Sequence, residues 1–260
     1  MFLIDTHAHL TDERFNEDLD DVLVRAKAAG LGKIISIGCD LPSSEAAIAL
    51  AAANDNIFAA VGIHPHEASS AGQDALQALK KLADSPKVVA IGEIGLDYYY
   101  RFSSADQQKD VLRRQIRLAR EMALPVIIHN RDAHEDILAI LRAEKAYEVG
   151  GVMHCFSGDL NFAMQCLELG FYLSFAGIVT FKKPGDLPLV VQEMPLERLL
   201  IETDSPYLAP VPFRGRRNEP AYVVHVAEKI AQLRQLEFSK IAEITTQNAQ
   251  KLFSFRKKQA

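Results

Sequence analysis

The feature that most restricts the fold is a regular alternation of apolar runs with helix-forming stretches along the chain. Eight short runs are almost continuously apolar, and each is followed by a segment with helical patterning. Near-continuous apolar runs are typical of parallel strands that are covered on both faces. The runs predicted as strands cover residues 2–4, 33–38, 57–63, 88–95, 125–129, 151–156, 171–179 and 199–204.

The segments between these runs have the length and composition of helices. The predicted helices cover residues 18–29, 43–53, 74–83, 105–123, 133–144, 160–169, a short stretch after Gly185, 221–233 and 238–253. Eight such strand–helix units in about 250 residues favour an α/β fold, a single (β/α)8 TIM barrel, with one domain over residues 1–260. A doubly wound open sheet is the alternative, but it would normally carry a Gly-rich nucleotide-binding loop, and the sequence has none.

Polar side chains follow the predicted strands at the points where they end. The first strand runs into His7 and His9, whose i, i+2 spacing points both imidazoles the same way, so that they can reach one metal ion. The carboxyl ends of all the strands of a barrel meet at one face, where barrel enzymes place their chemistry. The other polar residues at these ends are His64, Glu93, His129, His154, Glu202 and Asp204.

Imidazoles and carboxylates are ligands that suit zinc and other first-row divalent ions. Four histidines and two carboxylates exceed the needs of one tetrahedral site, so we predict two ions bridged by a carboxylate. Glu93 is the candidate bridge because it is the only acid on the middle strands. Each residue alone also has a structural interpretation, with Glu93 as an ion-pair partner and Asp204 as a turn former. Their common position at the ends of independent strands favours the metal site.

These residues lie in motifs that resemble those of the TatD-family metal-dependent deoxyribonucleases, which have amidohydrolase-like barrels. The motifs follow the family's order along nearly the whole chain, and we see no departure at a ligand position. They are Ile4-Asp5-Thr6-His7-Ala8-His9, Gly62-Ile63-His64-Pro65, Gly92-Glu93-Ile94-Gly95-Leu96-Asp97, Pro125-Val126-Ile127-Ile128-His129-Asn130-Arg131, His154-Cys155-Phe156-Ser157-Gly158, Glu202-Thr203-Asp204-Ser205-Pro206 and Arg217-Asn218-Glu219-Pro220.

The resemblance implies a set of two divalent ions, Zn²⁺, Mg²⁺ or Mn²⁺, and their ligands. One ion would be held by His7, His9, Glu93 and Asp204. The second would be held by Glu93, His129 and His154. Glu93 stands where many amidohydrolases carry a carbamylated lysine.

The activity that the resemblance implies is phosphodiester hydrolysis of DNA, as a 3'-5' exonuclease that prefers single-stranded ends. We expect Asp204 to accept the proton of the attacking water and Glu202 to orient a ligand from behind. His64 is expected at the scissile phosphate or the leaving oxygen, with a structural His-Pro turn as the alternative. Arg131 is expected at a phosphate, with pairing to a neighbouring acid as the alternative.

The charge of the chain limits how it can meet DNA. With 29 basic and 34 acidic residues the net charge is −5, which argues against binding through bulk electrostatics. Positive charge must therefore be local, and two loops, residues 181–185 and 213–217, combine it with an aromatic side chain. Residues 98–100, three tyrosines, either stack a base or pack their own loop. We therefore expect action on single strands or ends rather than tight binding of duplex.

Two other functions remain open on the same residues. A metal-dependent ester or amide hydrolase, such as an aminoacyl-tRNA deacylase, would use the same ligands on a carbonyl group. A catalytically idle metal-binding scaffold is disfavoured because the full ligand set is present.

The remaining composition suggests the surroundings of the chain. Cys39, Cys155 and Cys166 show no paired spacing, so we expect reduced thiols in a cytoplasmic protein, with Cys155 buried on the face opposite His154. No run approaches the roughly 18 apolar residues of a membrane span, so we expect no membrane partner. No coiled-coil or dimer stripe appears, and we expect a monomer.

Overall fold

A computed structural model, which describes residues 2–255, shows one sheet of eight parallel strands in the order β1 to β8. The strands are β1 Leu3–Ala8, β2 Leu31–Ile37, β3 Ile57–Val61, β4 Val88–Asp97, β5 Val126–Arg131, β6 Gly151–Met153, β7 Tyr172–Phe175 and β8 Leu199–Ile201. The predicted (β/α)8 barrel is confirmed. The single domain predicted over residues 1–260 stays a prediction, and Met1 and residues 256–260 lie outside the described part.

Helices connect the strands and cover the outside of the barrel. They are α1 Leu19–Ala28, α2 Leu41–Ala53, α3 Gln73–Ala83, α4 Ala105–Met122, α5 His134–Ala143, α6 Leu160–Glu168, α7 Leu187–Glu193, α8 Val223–Arg234 and α9 Phe238–Leu252. Local signals set several of these bounds. The longest helix, α4, begins with a capping box, in which Ser104 and Gln107 each accept a hydrogen bond from the other's backbone N–H. None of the helices among residues 2–255 has the length and apolar character that a membrane crossing requires.

Two apolar layers position the site. The outer layer fills the space between the strands and the helices. The inner layer takes side chains from all eight strands, among them Ile4, Phe58 and Tyr172, and it also contains Ala249 and Phe253 at the end of α9. The amino-terminal half of the barrel interior is therefore an apolar floor, and polar side chains occupy the opposite, carboxyl-terminal mouth.

The barrel closes where β1 meets the segment that follows β8. The backbone N–H of Asp204 donates to His7 O at 2.9 Å, and that of His9 donates to Ser205 O at 2.7 Å. Below these bonds the buried carboxyl group of Asp5 accepts from Thr203, at 2.9 Å from the backbone N–H and at 2.6 Å from the hydroxyl. We call these contacts the β1–β8 seam.

The observed strands differ in length from the predicted ones. β1 and β4 are longer, since β1 continues through Ala8 and β4 through Asp97, whereas β3, β6, β7 and β8 are shorter. The reason at β8 is its partner, because β7 ends at Phe175 and the carbonyl of that residue accepts the N–H of Glu202 at 3.1 Å. Beyond this bond, within residues 2–255, β7 no longer pairs with the chain, only a single bridge between Ser205 and Ala8 of β1 remains, and Asp204 takes a left-handed backbone conformation with φ 55°.

The seam predicts a large stability effect for Thr203→Val, which is isosteric but removes the hydroxyl. The Oδ2 atom of the buried Asp5 carboxyl then loses the hydroxyl that donates to it, while Oδ1 keeps its backbone N–H donors. The loss costs about 2 kcal/mol of the free energy of unfolding. Urea titration measures the loss. Thr245→Val is the matched control, because among residues 2–255 that buried hydroxyl bonds only to the Ile241 carbonyl one turn back in α9, at 2.9 Å. Equal losses in the two variants would contradict a special role for the seam.

Candidate metal centre

The carboxyl ends of the strands surround a cleft of about 700 Å³. Its walls include most of the residues that the sequence marks as functional. They are His9, His64, Glu93, His129, Arg131, His154 and Asp204. His7 and Glu202 lie behind this wall and are almost completely buried.

Four atoms from three strand ends form a first group on one side of the cleft. The Nε2 atoms of His7 and His9 face each other at 3.2 Å. Glu93 Oε2 lies 3.3 Å from the His7 nitrogen and 3.7 Å from the His9 nitrogen. Asp204 Oδ1 lies at 3.8 and 3.3 Å from the same two nitrogens. We call these four atoms the first group.

The other oxygen of Glu93 faces a second group. Glu93 Oε1 lies 2.8 Å from His129 Nδ1 and 3.0 Å from His154 Nε2. The structure adds His64, whose Nε2 lies 3.5 Å from the same oxygen. One buried carboxylate thus faces two separate sets of ring nitrogens, one with each oxygen.

The separations within the first group fit a metal ion. Ligand bonds of about 2.0–2.2 Å in a tetrahedron place the ligand atoms roughly 3.3–3.6 Å apart. In the tautomers that carry the proton on Nδ1, the two facing Nε2 atoms of His7 and His9 are both acceptors, and a cation between them removes that conflict. Burial lowers the pKa of His7, which favours the neutral, ligating form. The donor set therefore fits a divalent ion.

Electrostatics in the cleft favour an ionised Glu93. Burial raises the pKa of this carboxyl, but the surrounding histidines, His154 and His64 foremost, outweigh burial and hold the pKa well below its usual range. A carboxylate that stays charged among imidazoles is suited to a position between two cations.

Carboxylates also contact the ring nitrogens of His154 and His129 that point away from Glu93. Glu202 Oε1 lies 3.0 Å from His154 Nδ1 and accepts the backbone N–H of Cys155 at 2.7 Å. Asp97 Oδ2 lies 3.2 Å from His129 Nε2 and 2.9 Å from His66 Nε2. Partners of this kind fix the orientation and tautomer of a ligand histidine. The sequence pointed to Glu202, whereas it placed Asp97 only within a motif.

Asp204 depends on a distant asparagine for its position. The buried Asn218 donates from Nδ2 to Thr203 O at 2.8 Å and to Tyr207 O at 2.6 Å, on either side of Asp204. Asn218 belongs to the motif of residues 217–220, and these bonds give that motif a physical role. It fixes the loop in which Asp204 stands.

Two further residues of the cleft were missed or misplaced by the sequence. Cys39 follows β2 by two residues, and its Sγ lies 3.7 Å from His9 Nδ1 and 3.9 Å from Glu93 Oε2. The strand-end rule that found the histidines would have found Cys39. Cys155 was predicted to be buried on the face opposite His154, and this is wrong. β6 ends at Met153 and the chain turns at Cys155, with φ 43°, so that its half-buried side chain lines the cleft.

His64 and Arg131 resolve the alternatives left by the sequence in different ways. His64 does form the His-Pro turn, because its Nδ1 accepts the His66 N–H at 3.2 Å, yet its Nε2 still faces Glu93. Within residues 2–255 Arg131 pairs with no acid. Its guanidinium lies over the rings of Tyr99 and Tyr100, at 4.1 and 4.9 Å from their centroids.

Aromatic side chains form part of the rim. Tyr99, Tyr100 and Phe102 are half or more exposed, whereas Tyr98 packs its own loop and donates to Asp136 at 2.7 Å. The two basic loops also meet, with the Arg214 guanidinium 3.8 Å from the centroid of the Phe181 ring.

Several known proteins are similar to this chain in sequence and in fold. The sequence profile of the family described as TatD related DNase matches residues 4–254. YabD, a metal-dependent hydrolase of Bacillus subtilis, is 51% identical over 251 residues, which cover 96% of this chain and 98% of the relative. A Klebsiella pneumoniae protein named 3'-5' ssDNA/RNA exonuclease TatD is 38% identical over 256 residues, which cover 96% of this chain and 97% of the relative.

A solved structure is also similar to this chain over almost its full length. The crystal structure of YJJV, a TatD homologue from Escherichia coli K12, superposes with a TM-score of 0.92 at 32% sequence identity. The superposition covers 96% of this chain and 97% of that one.

A (β/α)8 barrel with histidines and carboxylates at its carboxyl-end mouth defines the class of metal-dependent hydrolases with amidohydrolase-like barrels. Within that class, the chain belongs to the TatD related DNase family. The predicted family is therefore confirmed, as is the prediction of a hydrolase that acts on ester bonds.

Burial of His64 predicts a pH dependence for the metal-free protein. Burial lowers the pKa of His64 from 6.5 to about 4, so the unfolded chain binds a proton between these pH values that the folded chain does not. The free energy of unfolding therefore falls as the pH falls, for this group by about 2 kcal/mol at pH 5. In urea titrations between pH 8 and 5, His64→Asn should lose correspondingly less stability than wild type.

Asn at position 64 keeps an acceptor for the His66 N–H, so the turn is retained. His225→Asn, at a half-buried position in α8, is the control and should follow the wild-type curve. A His64→Asn curve parallel to wild type would show that His64 does not resist protonation.

Proposed function

We propose that this chain is a phosphodiester hydrolase that acts on DNA with two divalent metal ions. The observation that carries the proposal is Glu93, whose two oxygens face separate groups of ring nitrogens. A carboxylate in that position bridges two ions. Two ions held by one carboxylate would clamp a phosphodiester at both its attacking and its leaving oxygen.

The proposed ligands follow from the two groups. His7, His9, Glu93 and Asp204 hold the first ion. Glu93, His129 and His154 hold the second, with Glu202 behind His154 as the acceptor for its Nδ1 proton. When bound, the ions lower the pKa of water and neutralise the charge that grows on the phosphate.

Asp204 is proposed as the proton acceptor. Its side chain belongs to the first group, faces the cleft and is partly accessible to water. Burial raises the pKa of Asp204, but His9 and the other nearby histidines outweigh burial and hold this pKa below its usual value. The carboxylate is therefore ionised and able to take a proton from attacking water. Its fixed loop, anchored by Asn218, keeps that oxygen in place.

His64 and Arg131 are proposed to contact the scissile phosphate. His64 Nε2 points into the cleft beside the second group. Arg131 lines the same cleft and presents a guanidinium that is oriented by two tyrosine rings rather than neutralised by an acid. A guanidinium held in this way suits a phosphate oxygen.

A single strand entering by its end is the proposed substrate. The net charge of −5 disfavours tight binding of duplex, and the exposed rings of Tyr100 and Phe102 beside the cleft suit unpaired bases. Relatives that carry the name 3'-5' ssDNA/RNA exonuclease support this choice and suggest the 3'-5' direction. We further propose that residues 1–260 act as one domain and as a monomer.

The proposed site predicts metal-dependent shortening of DNA. Metal-free protein, supplied with Mg²⁺, Mn²⁺ or Zn²⁺, should shorten a 5'-labelled single strand stepwise. Glu93→Gln and Asp204→Asn should each lower the rate by about 100-fold or more, since each removes an acid–base group or ligand charge. Glu228→Gln, on the outer helix α8, is the control and should retain wild-type activity.

The label also distinguishes the alternatives. Products that shorten from the 3' end support the proposed direction, whereas immediate release of the labelled nucleotide indicates the opposite polarity. Protein that binds two ions but cleaves no DNA would contradict the proposal and favour an ester or amide substrate on the same ligands.

The aromatic rim predicts a loss of single-strand affinity in Tyr100→Leu. Stacking of one base contributes about 1–3 kcal/mol, so the Kd should rise by about 5- to 150-fold. The affinity is measured by fluorescence anisotropy in the metal-loaded Asp204→Asn background, which binds without cleaving. Tyr147→Leu removes a tyrosine of similar exposure in the connection between α5 and β6 and should leave the Kd unchanged. Equal affinities of the two variants would exclude Tyr100 from substrate binding.

A further inference from the structure

One side chain in contact with the metal-ligand set has no part in the proposed hydrolysis. Cys39 stands just beyond β2, in the ring of strand ends, and lines the cleft. Three potential ligand atoms, one each from His9, Cys39 and Glu93, lie within 4.8 Å of one another. The thiol is thus a member of the cluster rather than an isolated cysteine.

The thiol lies between two of the proposed ligands of the first ion. Its Sγ lies 3.7 Å from His9 Nδ1 and 3.9 Å from Glu93 Oε2, both within the range of hydrogen bonds to sulfur. A thiol has one proton to donate and a sulfur that accepts weakly. It can therefore donate to Glu93 and accept the Nδ1 proton of His9 at the same time.

His9 needs such an acceptor if its Nε2 is to face an ion. The Nε2 atom belongs to the first group, at 3.3 Å from Asp204 Oδ1. A neutral imidazole that offers Nε2 carries its proton on Nδ1, and the acceptor of that proton fixes the tautomer and the ring plane. Among residues 2–255 the hydrogen-bond partner of His9 Nδ1 is Cys39.

In the second group a ligand histidine is also supported at its Nδ1 atom, but by a carboxylate instead of a thiol. His154 offers Nε2 to Glu93 Oε1, and its Nδ1 lies 3.0 Å from the Glu202 carboxylate. Glu202 behind His154 and Cys39 behind His9 thus occupy equivalent places. The first group has a weak sulfur acceptor where the second has a carboxylate.

We propose that Cys39 is a positioning residue for His9 and thereby sets the affinity of the first metal ion. Its sulfur holds His9 in the tautomer that offers Nε2, and its proton ties the histidine to the bridging carboxylate of Glu93. The inference rests on the proposed roles of His9 and Glu93 as ligands. It assigns Cys39 no contact with the ion itself.

The test measures metal binding rather than catalysis. Metal-free protein is titrated with Zn²⁺ in competition with a chromogenic chelator, which gives the number of ions and their Kd values. Cys39→Val should weaken one of the two ions by about 10- to 100-fold and leave the other unchanged. Cys39→Ser, whose hydroxyl also donates and accepts, should restore most of the affinity.

The controls separate positioning from packing. Cys166→Val alters a fully buried cysteine in α6, away from the cleft, and should bind both ions as wild type does. Cys39→Ala repeats the test with a smaller side chain should Cys39→Val not fold, as judged by circular dichroism. Wild-type affinity for both ions in either apolar variant would overturn the proposal.

Co²⁺ provides a second readout that distinguishes positioning from direct coordination. A positioning thiol gives no sulfur-to-cobalt charge-transfer band in the near ultraviolet. A band in wild type that disappears in Cys39→Ser would overturn the proposal, because the sulfur would itself be a ligand. Wild-type protein that binds no ion would instead refute the two-metal function, and this inference with it.

Discussion

The site depends first on the bonds that close the barrel between β1 and the segment after β8. His7 and His9 lie on one side of the β1–β8 seam and Asp204 lies on the other, so the first group exists only when the seam is formed. The buried pair of Asp5 and Thr203 fixes this register. Folding of the barrel and assembly of the first group are therefore one event, and damage to the seam affects both.

Glu93 links the two halves of the site in a way that no other residue does among those described. It is almost completely buried, and its oxygens face His7 and His9 on one side and His64, His129 and His154 on the other. Without ions, contacts to these imidazoles stabilise the carboxylate. In the proposed two-metal site, the same oxygens would be the ligands of the two ions. Loss of this single carboxylate therefore disturbs both groups at once, whereas loss of His129 disturbs only the second.

The sequence predicted the barrel and the residues at its mouth because both follow from repeated, local patterns. Apolar runs give the strands, and polar residues at their ends gather at one face. What it missed depends on three-dimensional contacts. The early end of β8 follows from the end of β7 at Phe175, and the place of Cys155 in the cleft follows from a turn after Met153. The support of His9 by Cys39 joins the ends of different strands, and residue spacing does not reveal it.

The apolar floor of the barrel determines from which side water reaches the site. Ile4, Phe58 and Phe253 are at most 3% exposed and close the barrel below the polar mouth, so water reaches the site from above. Each hydrolytic turnover consumes one water molecule. The proposed strand substrate would lie across the same opening through which that molecule arrives. For that substrate, the shape of the barrel favours a reacting water that is in place before the strand settles.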